Sequence, residues 1–445
     1  MSNIDRRTSL LRLASLASLP LLPTSVAAAK TSDVGGTVLL RSGWQTVNIG
    51  DIAHTPGVLQ LFQDYLPQVK VILWSNALDR GVREMLTANY PQLQIVSGYV
   101  NQAGKPTSEP LRQAFDEADF LLHGSGPGVV AANHVEAWRR STGKPYGILG
   151  VTISAAGEAA SRKLTPELHS LLSDADFVFT REKKSLQNVQ AAGVAGPHVG
   201  FAPDGTFHLK LKETAGTQAF IERHDLAPRK FIVCVPRLRY TPYHKIRKTR
   251  FTPEEIAQRE AVNQAHAEED HAKLRAAIVA WVRKTGGKAV LCPEMTYQVE
   301  IMRPLLFDPL PDDVKRNVVL HEKYWITDDA ATLYADAAAV ISCECHSPII
   351  AAAVRTPCFY LHQPEDGIKG NMWRDVGLGD WYFPIEETSG DMVAEAVLEI
   401  AADFPAAQKK VDQAVARIEK NYADNFEVIA RSLQKAKATA DNAAR

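Results

Sequence analysis

The chain's architecture can be predicted from Ala339–Phe383, AVISCECHSPIIAAAVRTPCFYLHQPEDGIKGNMWRDVGLGDWYF. Its first four residues, Ala339–Ser342, predict a short buried strand, because a brief apolar run ends there in small polar residues. The chain then turns at Cys343–His346, and a helix is expected to follow. Ser347 suits the N-cap of that helix and Pro348 its first position. The stretch therefore predicts one strand–turn–helix unit of an α/β protein.

The predicted junction of strand and helix is also a candidate ligand site. Free backbone amides and the helix dipole at such a junction attract anions. His346 lies at that point, and Lys369 follows on the next loop. If strand geometry continues past Ser342, Glu344 and His346 share one face, which favours a Glu–His pair facing a cleft. We predict no metal there, because zinc sites usually draw ligands from two separated pairs and the sequence has no second Cys/His pair.

The composition excludes several classes of protein. At 445 residues and 45% hydrophobic content, the chain is long enough for two or three globular domains. Its net charge of −1 and its scattered basic residues do not favour nucleic-acid binding. Five cysteines, few and odd in number, do not favour a disulfide framework. Three of them lie in apolar runs and are expected to be buried thiols: Cys234, Cys292 and Cys358.

Residues 1–29 have the organisation of an export signal. Arg6 and Arg7 precede an apolar stretch that ends at Leu22, and small residues follow up to Ala29. Paired arginines in this position resemble a twin-arginine signal. We therefore expect export to the periplasm or the extracellular space; a frayed N-terminal helix on a cytoplasmic protein is the alternative. No other apolar run reaches the ~18 residues needed to span a membrane.

Two series of short apolar strands alternate with helical segments along the chain. This alternation predicts parallel sheets covered on both faces, hence an α/β fold of two Rossmann-like domains with a central cleft. We place the N-terminal domain at 36–205, the C-terminal domain at 206–385 and terminal helices at 386–445. The expected strands are 36–41, 69–74, 94–97, 120–122, 145–151 and 177–179 in the first domain, then 231–236, 289–292, 318–321, 339–342 and 358–361 in the second.

Two loops of the first domain could reach a ligand, since ligands bind beyond the carboxyl ends of parallel strands. After the first strand, Asn48, Gly50 and Asp51 offer an amide, a close backbone approach and a carboxylate to a polyhydroxylated or phosphorylated ligand. The alternative is a turn in which Asn and Asp cap the backbone. The later loop GSGPG, with Gly124 and Gly126, is a possible phosphate cradle or a device for tight helix packing.

Three arginines directly follow predicted strands. Arg181 follows the strand at 177–179, and Arg237 and Arg239 open a basic, aromatic segment that reaches Phe251. Because arginine binds carboxylates and phosphates bidentately, an acidic small substrate is the natural partner. Surface ion pairs and a solvated basic loop are the alternatives.

The order of these motifs resembles the polysaccharide pyruvyl transferase family, whose fold is similar to GT-B glycosyltransferases. The resemblance covers about Gly36 to Phe383. It is carried by Asn48-Ile49-Gly50-Asp51, Gly124–Gly128, Arg181-Glu182 with Ser185, Ala192-Gly193-Val194, Pro203-Asp204, Arg237, Ser342 with His346-Ser347, Lys369 and Gly377-Leu378-Gly379.

The resemblance implies transfer of a pyruvyl group from phosphoenolpyruvate to a sugar hydroxyl, as in exopolysaccharide biosynthesis, without a metal or redox cofactor. The family's Ser-x-Arg-Leu-His motif aligns with Ser342–His346. His346 is then the candidate acid, and Glu344 stands where the family has arginine.

Two alternative functions stay open. One is another carbohydrate-active enzyme, a hydrolase or lyase, that uses Glu344 and His346 as an acid/base pair. The other is a non-catalytic glycan-binding protein.

Overall fold

The computed structural model describes residues 34–155, 164–249 and 251–443, so the expected export signal at 1–29 lies outside them. The strands of the first sheet are β1 (Gly36–Arg41), β2 (Val69–Trp74), β3 (Gln94–Val96), β4 (Phe120–His123), β5 (Tyr146–Val151), β6 (Phe177–Thr180) and β7 (Val199–Phe201). Those of the second sheet are β8 (Phe231–Val235), β9 (Lys288–Leu291), β10 (Val318–Leu320), β11 (Ala339–Ser342), β12 (Cys358–His362) and β13 (Tyr382–Pro384).

Helices cover both faces of these sheets. They are α1 (Ile49–Tyr65), α2 (Val82–Asn89), α3 (Glu109–Glu117), α4 (Ala132–Thr142), α5 (Pro166–Ser173), α6 (Lys183–Ala191), α7 (Ala215–Arg223), α8 (Tyr243–Ile246), α9 (Pro253–Thr285), α10 (Gln298–Met302), α11 (Asp312–Lys315), α12 (Thr327–Asp336), α13 (His346–Ala353), α14 (Met372–Asp375), α15 (Gly390–Ala402) and α16 (Phe404–Ala443). None of the described helices is both long enough and apolar enough to cross a membrane.

Both sheets are parallel throughout and doubly wound. The first has the order β3-β2-β1-β4-β5-β6-β7 and the second β10-β9-β8-β11-β12-β13. The strand order reverses between β1 and β4 and between β8 and β11, and crevices for ligands form at such switch points. The predicted α/β fold with two Rossmann-like units is confirmed, whereas the exact domain limits stay predictions.

All five cysteines are free and buried, as expected for Cys234, Cys292 and Cys358.

Two helices begin elsewhere than the sequence predicts. The segment after β1 is not a loop up to residue 55, because α1 starts at Ile49. The side chain of Asn48 caps it by accepting hydrogen bonds from the amides of Gly50 (2.6 Å) and Asp51 (3.2 Å). Ser347 is not the N-cap of α13; Cys345 holds that position, and the Ser347 hydroxyl donates to a carboxylate instead.

Three further observations concern the ends of elements. Helix α9 begins with a capping box of Thr252 and Glu255 and runs unbroken to Thr285. The expected terminal helices are α15 and α16, which meet at Asp403. The short strands β7 and β13 were not predicted, since each has only three residues and includes a residue type that is rare in strands, Gly200 or Pro384.

The two halves contact each other through backbone bonds beside the cleft. Asn48 forms an antiparallel bridge with Met295, and the Ile49 amide donates to the carbonyl of Glu294 at 3.0 Å. The Thr327 hydroxyl donates to the carbonyl of Ile49 at 2.6 Å. Helix α16 runs back from the second half to pack on the first. The N-terminus of α1 is therefore held against residues of the second sheet.

Candidate active site

A cleft of about 580 Å³ opens between the carboxyl ends of the two sheets. Most residues predicted to bind a ligand line it: Asn48, Asp51, Arg181, Arg237, Arg239, Glu344, His346 and Lys369. Four more residues in the wall belong to the basic, aromatic segment that begins at Arg237: Tyr240, Thr241, Tyr243 and Arg247. No role was predicted for the remaining ones: Trp44, Gln45, Pro127, Val130, Arg259, Met295 and Glu365.

His346 lies at the first position of α13 and is 8% exposed. Gly50 permits this position, because a Cβ atom there would lie 2.3 Å from Cβ and Cγ of His346. Nε2 of His346 is 3.8 Å from Oδ2 of Asp204, and Nδ1 is 3.8 Å from Oε1 of Glu294. The ring of His54 meets that of His346 edge-on, with centroids 4.9 Å apart. Two carboxyl groups thus face the two nitrogens of one imidazole.

Asp204 is a fully buried carboxylate with several donors. It accepts hydrogen bonds from the Thr206 amide (3.0 Å) and from Nη1 of Arg181 (2.6 Å), and Nδ1 of His54 lies 3.1 Å away. Burial alone would favour the neutral acid, but His54, His346 and Arg181 hold the pKa of Asp204 well below its usual range. Asp204 is therefore a fixed negative charge behind His346.

The imidazole of His346 is neutral at pH 7. Burial is the largest cause, and the positive charge of Arg181 acts in the same direction; the pKa of His346 is lowered to about 4 despite the nearby Asp204. A neutral imidazole can accept a proton directly, but it must first gain one to act as an acid.

Glu344 and Arg237 form part of a buried charge network. One oxygen of Glu344 accepts a 2.7 Å hydrogen bond from Gln298, and the other lies 3.3 Å from Nε of Arg237. Nη2 of Arg237 also pairs with Asp366 at 2.7 Å, and Lys369 pairs with the same carboxylate at 2.6 Å. Burial raises the pKa of Glu344 to about 6, although Arg237 opposes this shift.

The other two predicted arginines also have carboxylate partners. Arg181 lies between Asp204 and Glu182, and its Nε donates to Thr152 at 2.8 Å. Arg239 forms two bonds with Asp270, of 3.0 and 3.1 Å, and one with Glu386. That these arginines hold a ligand's charge stays a prediction, and each would have to share its charge with a carboxylate of the protein.

Two arginines in the cleft wall have no carboxylate partner among the described residues. Arg247 lies over the ring of Tyr243 at 4.2 Å, and its Nη1 donates to the Gln45 side chain across the cleft at 3.3 Å. Arg259 lies over Phe251 at 4.1 Å and Tyr240 at 4.8 Å. Their positive charges are the more available ones for an anionic ligand.

In the glycine loop after β4, Pro127 lines the cleft, whereas Gly124 and Gly126 lie behind its wall. A Cβ atom on Gly126 would come within 2.7 Å of the Trp44 indole nitrogen, which donates to the Ser125 carbonyl at 2.7 Å. A Cβ on Gly124 would be 3.2 Å from the Ser42 hydroxyl. These distances favour the packing alternative for Gly124 and Gly126, since neither lines the cleft.

Sequence reasoning did not assign a role to His54, Asp204 or Glu294. Glu294 follows β9 at its carboxyl end, so the rule used for the arginines would have found it. Asp204 follows β7, a strand that was not predicted, and its signal was its place in a motif of the resemblance. His54 had no comparable signal. It lies four positions after Gly50, on the face of α1 that meets His346, and this face could be seen only once the helix start was known.

His54, Asp204 and His346 are also the one group among the described residues whose side chains could share a metal ion; their ligand atoms lie within 4.8 Å of one another. The set fits a metal poorly, because the Arg181 guanidinium already binds Oδ2 of Asp204. A divalent cation would stand directly beside that positive charge.

Comparison with known proteins identifies the family of the chain. The family model of polysaccharide pyruvyl transferase matches residues 48–362, which is most of the chain. The chain belongs to the polysaccharide pyruvyl transferase family. The family match extends from the cap of α1 to the end of β12, so it includes Asp204, Glu294 and His346. No curated protein matches the chain in sequence.

Solved structures similar to this family member include two sugar-nucleotide epimerases. A putative UDP-N-acetylglucosamine 2-epimerase from Listeria monocytogenes has a TM-score of 0.56 at 12% identity, covering 88% of this chain and 96% of its own. The UDP-GlcNAc 2-epimerase from Neisseria meningitidis bound to UDP-GlcNAc has a TM-score of 0.54 at 13% identity, covering 90% and 100%. At such identities the likeness shows the fold alone, which is the predicted GT-B type.

Proposed function

We propose that this protein transfers the pyruvyl group of phosphoenolpyruvate to a sugar hydroxyl of a glycan, with His346 as the proton-transferring residue. The observation that carries the proposal is the position of His346. It stands where the family motif has its histidine, in the wall of the cleft between the two sheets. Carboxyl groups face both of its nitrogens at 3.8 Å, close enough to influence the charge of the ring.

The proposed reaction needs one proton at the methylene carbon of the donor. Protonation there turns the adjacent carbon into an electrophile, which a sugar hydroxyl attacks; loss of phosphate and attack by a second hydroxyl complete a ketal. One hydroxyl proton replaces the proton consumed, and the other leaves with the phosphate. No electrons are exchanged with a cofactor, so the proposed chemistry requires only proton transfer and charge stabilisation.

The cleft offers separate groups to the two substrates. Arg247, Arg259 and Lys369 can bind the carboxylate and phosphate of the donor. Trp44 and Tyr243 present flat, partly polar rings of the kind that pack against sugars. Asp51, which accepts a hydrogen bond from Gln45, can orient a hydroxyl. We assign the donor to Arg247, Arg259 and Lys369 of the second half, and the acceptor sugar to Trp44 and Asp51 of the first half with Tyr243 facing them across the cleft.

The direct test is to mix the purified mature protein with phosphoenolpyruvate and a panel of glycans and to follow phosphate release. We expect release that depends on an acceptor. His346→Gln should lower kcat by about 10²-fold or more, because a proton-transfer group is lost. Arg259→Ala should raise KM for the donor with little change in kcat. Absence of phosphate release with every acceptor, together with glycan binding, would favour the non-catalytic alternative.

A hydrolase or lyase is the second candidate, and one observation favours it: the pKa of Glu344 is raised to about 6, which suits an acid working near neutral pH. Glu344→Gln separates the two reactions. In the transferase the variant should bind phosphoenolpyruvate more tightly at pH 7.5, where the wild-type carboxylate is charged and repels the donor. The difference should vanish at pH 5, where Glu344 is protonated. A hydrolase would instead lose its activity at both pH values.

A further inference from the structure

Glu294 is a buried carboxyl group with one oxygen bonded and one oxygen free. It follows β9 and is 0% exposed. Oε2 accepts hydrogen bonds from the amide (2.6 Å) and the hydroxyl (2.8 Å) of Ser347, at the N-terminus of α13. Oε1 has no hydrogen-bond partner among the described residues, and Nδ1 of His346 lies 3.8 Å from it.

Burying a charged carboxylate oxygen that accepts no hydrogen bond costs free energy. The protonated acid in the same place carries no charge and avoids most of this cost. Burial accordingly raises the pKa of Glu294 to about 8, and the negative charge of Glu344 adds to the shift, while the Ser347 donors and Lys369 oppose it. The titratable groups around Glu294 are His346, Glu344, Lys369, Cys292, Cys345, Tyr324 and Tyr334.

We propose that Glu294 stores the proton that His346 passes to the donor carbon. The inference rests on the proposed function and assigns the source of its proton. The O–H bond of Glu294 breaks as an N–H bond forms at Nδ1 of His346; that N–H bond then breaks as a C–H bond forms at the methylene carbon. The first sugar hydroxyl, on forming its bond to the electrophilic carbon, returns its proton through His346 to Glu294. The second hydroxyl proton leaves with phosphate, so protons balance over one turnover.

The surroundings fit both states of this cycle. The carboxylate that remains after proton transfer keeps the two Ser347 donors and faces the positive end of α13. The 3.8 Å gap to Nδ1 must shorten by roughly 1 Å to reach hydrogen-bond length. Asp204 cannot take this role, because its contacts hold its pKa low and it remains ionised. Asp204 instead stabilises the imidazolium that forms for a moment beside it.

The protonation of Glu294 can be measured without turnover. Infrared spectra of the wild-type protein should contain the carbonyl stretch of a protonated carboxylic acid that is lost as the pH rises through about 8. This band should be absent from Glu294→Gln. A wild-type spectrum in which no band titrates near pH 8, or a Gln variant that keeps the band, overturns the inference whether or not phosphoenolpyruvate is the donor.

The kinetic arm tests the transfer itself. Glu294→Gln keeps an acceptor for Ser347 but cannot carry a proton, so kcat should fall on the order of 10²-fold with KM for phosphoenolpyruvate unchanged. The alkaline fall of kcat near pH 8 should disappear. Glu294→Asp can still carry a proton, but its shorter side chain places the carboxyl farther from His346. Its kcat should therefore be low and should still decrease near pH 8. The inference is wrong if Glu294→Gln retains a wild-type kcat or a wild-type pH profile.

Asp328→Asn is the matched control. Its carboxyl also has a raised pKa, of about 6, caused by burial and by Asp329, yet it has no contact with the cleft. Its kcat and pH profile should equal those of the wild type. If the wild-type protein shows the titrating band but no phosphate release from any acceptor, the proposed function fails while the stored proton stands.

Discussion

The absent side chain of Gly50 sets the position of His346. A methyl group there would lie 2.3 Å from the histidine's Cβ and Cγ, far inside van der Waals contact. We expect Gly50→Ala to lower kcat by on the order of 10²-fold, since a displacement of about 1 Å suffices for such a loss. Stability should change by less than about 3 kcal/mol, because the gain in helix propensity offsets part of the overpacking. Steady-state kinetics and urea unfolding measure the two effects.

Gly216→Ala is the control for that substitution. Gly216 also lies in the first turn of a helix, α7, but a Cβ atom there would meet nothing within 4 Å. This variant should keep its activity and be equal to the wild type or up to about 1 kcal/mol more stable. Equal activity in both alanine variants would contradict the role of Gly50.

At the scale of single residues, the sequence located the cleft but not its charge pairs. The rule that ligands lie at the carboxyl ends of strands correctly brought His346, Glu344 and Arg237 into one wall. The partner of Arg237 in the structure is Asp366, which is 129 positions away in the chain. Ion pairs of this kind depend on the packing of several elements, and residue type alone does not show which arginines are already neutralised.

At the scale of elements, strands were predicted better than helix ends. Buried parallel strands are continuous apolar runs, and β1, β2 and β11 have the predicted limits. The start of α1 was placed six residues late, because Asn48, Gly50 and Asp51 are typical of turns and of helix N-termini alike. The Asn48 cap and the tertiary contact with residues 294–296 together hold the helical conformation there.

Helix α16 supports the site from outside the cleft. The Tyr422 hydroxyl donates to the Asp204 carbonyl at 2.6 Å, and the ring of Phe426 packs on Phe62 at 5.4 Å. Tyr422→Phe removes one buried hydrogen bond, so we expect a loss of about 1 kcal/mol in the free energy of unfolding. The Asp204 carbonyl still accepts from the Phe207 amide, and a larger loss would mean that the site rearranges. Urea unfolding measures the difference; Tyr99→Phe, at an exposed residue, should change nothing.

At the scale of the whole molecule, the two sheets do not form independent units. Backbone bonds join residues 47–49 to 294–296, and α16 crosses from one half to the other. We therefore expect a single unfolding transition, in which the calorimetric and van't Hoff enthalpies agree. Two separate transitions, or a variant that melts one sheet while the other persists, would contradict this coupling.

The bridge between Asn48 and Met295 has a consequence for genetics. Glu294 and Gly50 flank that bridge from opposite halves of the chain, and both contact or face His346. A screen for inactive alleles should consequently recover substitutions at Thr327, whose hydroxyl bonds the Ile49 carbonyl, although this residue is not part of the cleft wall. Such alleles would be scored as catalytic defects, and a suppressor that restores the spacing of the two halves would rescue them.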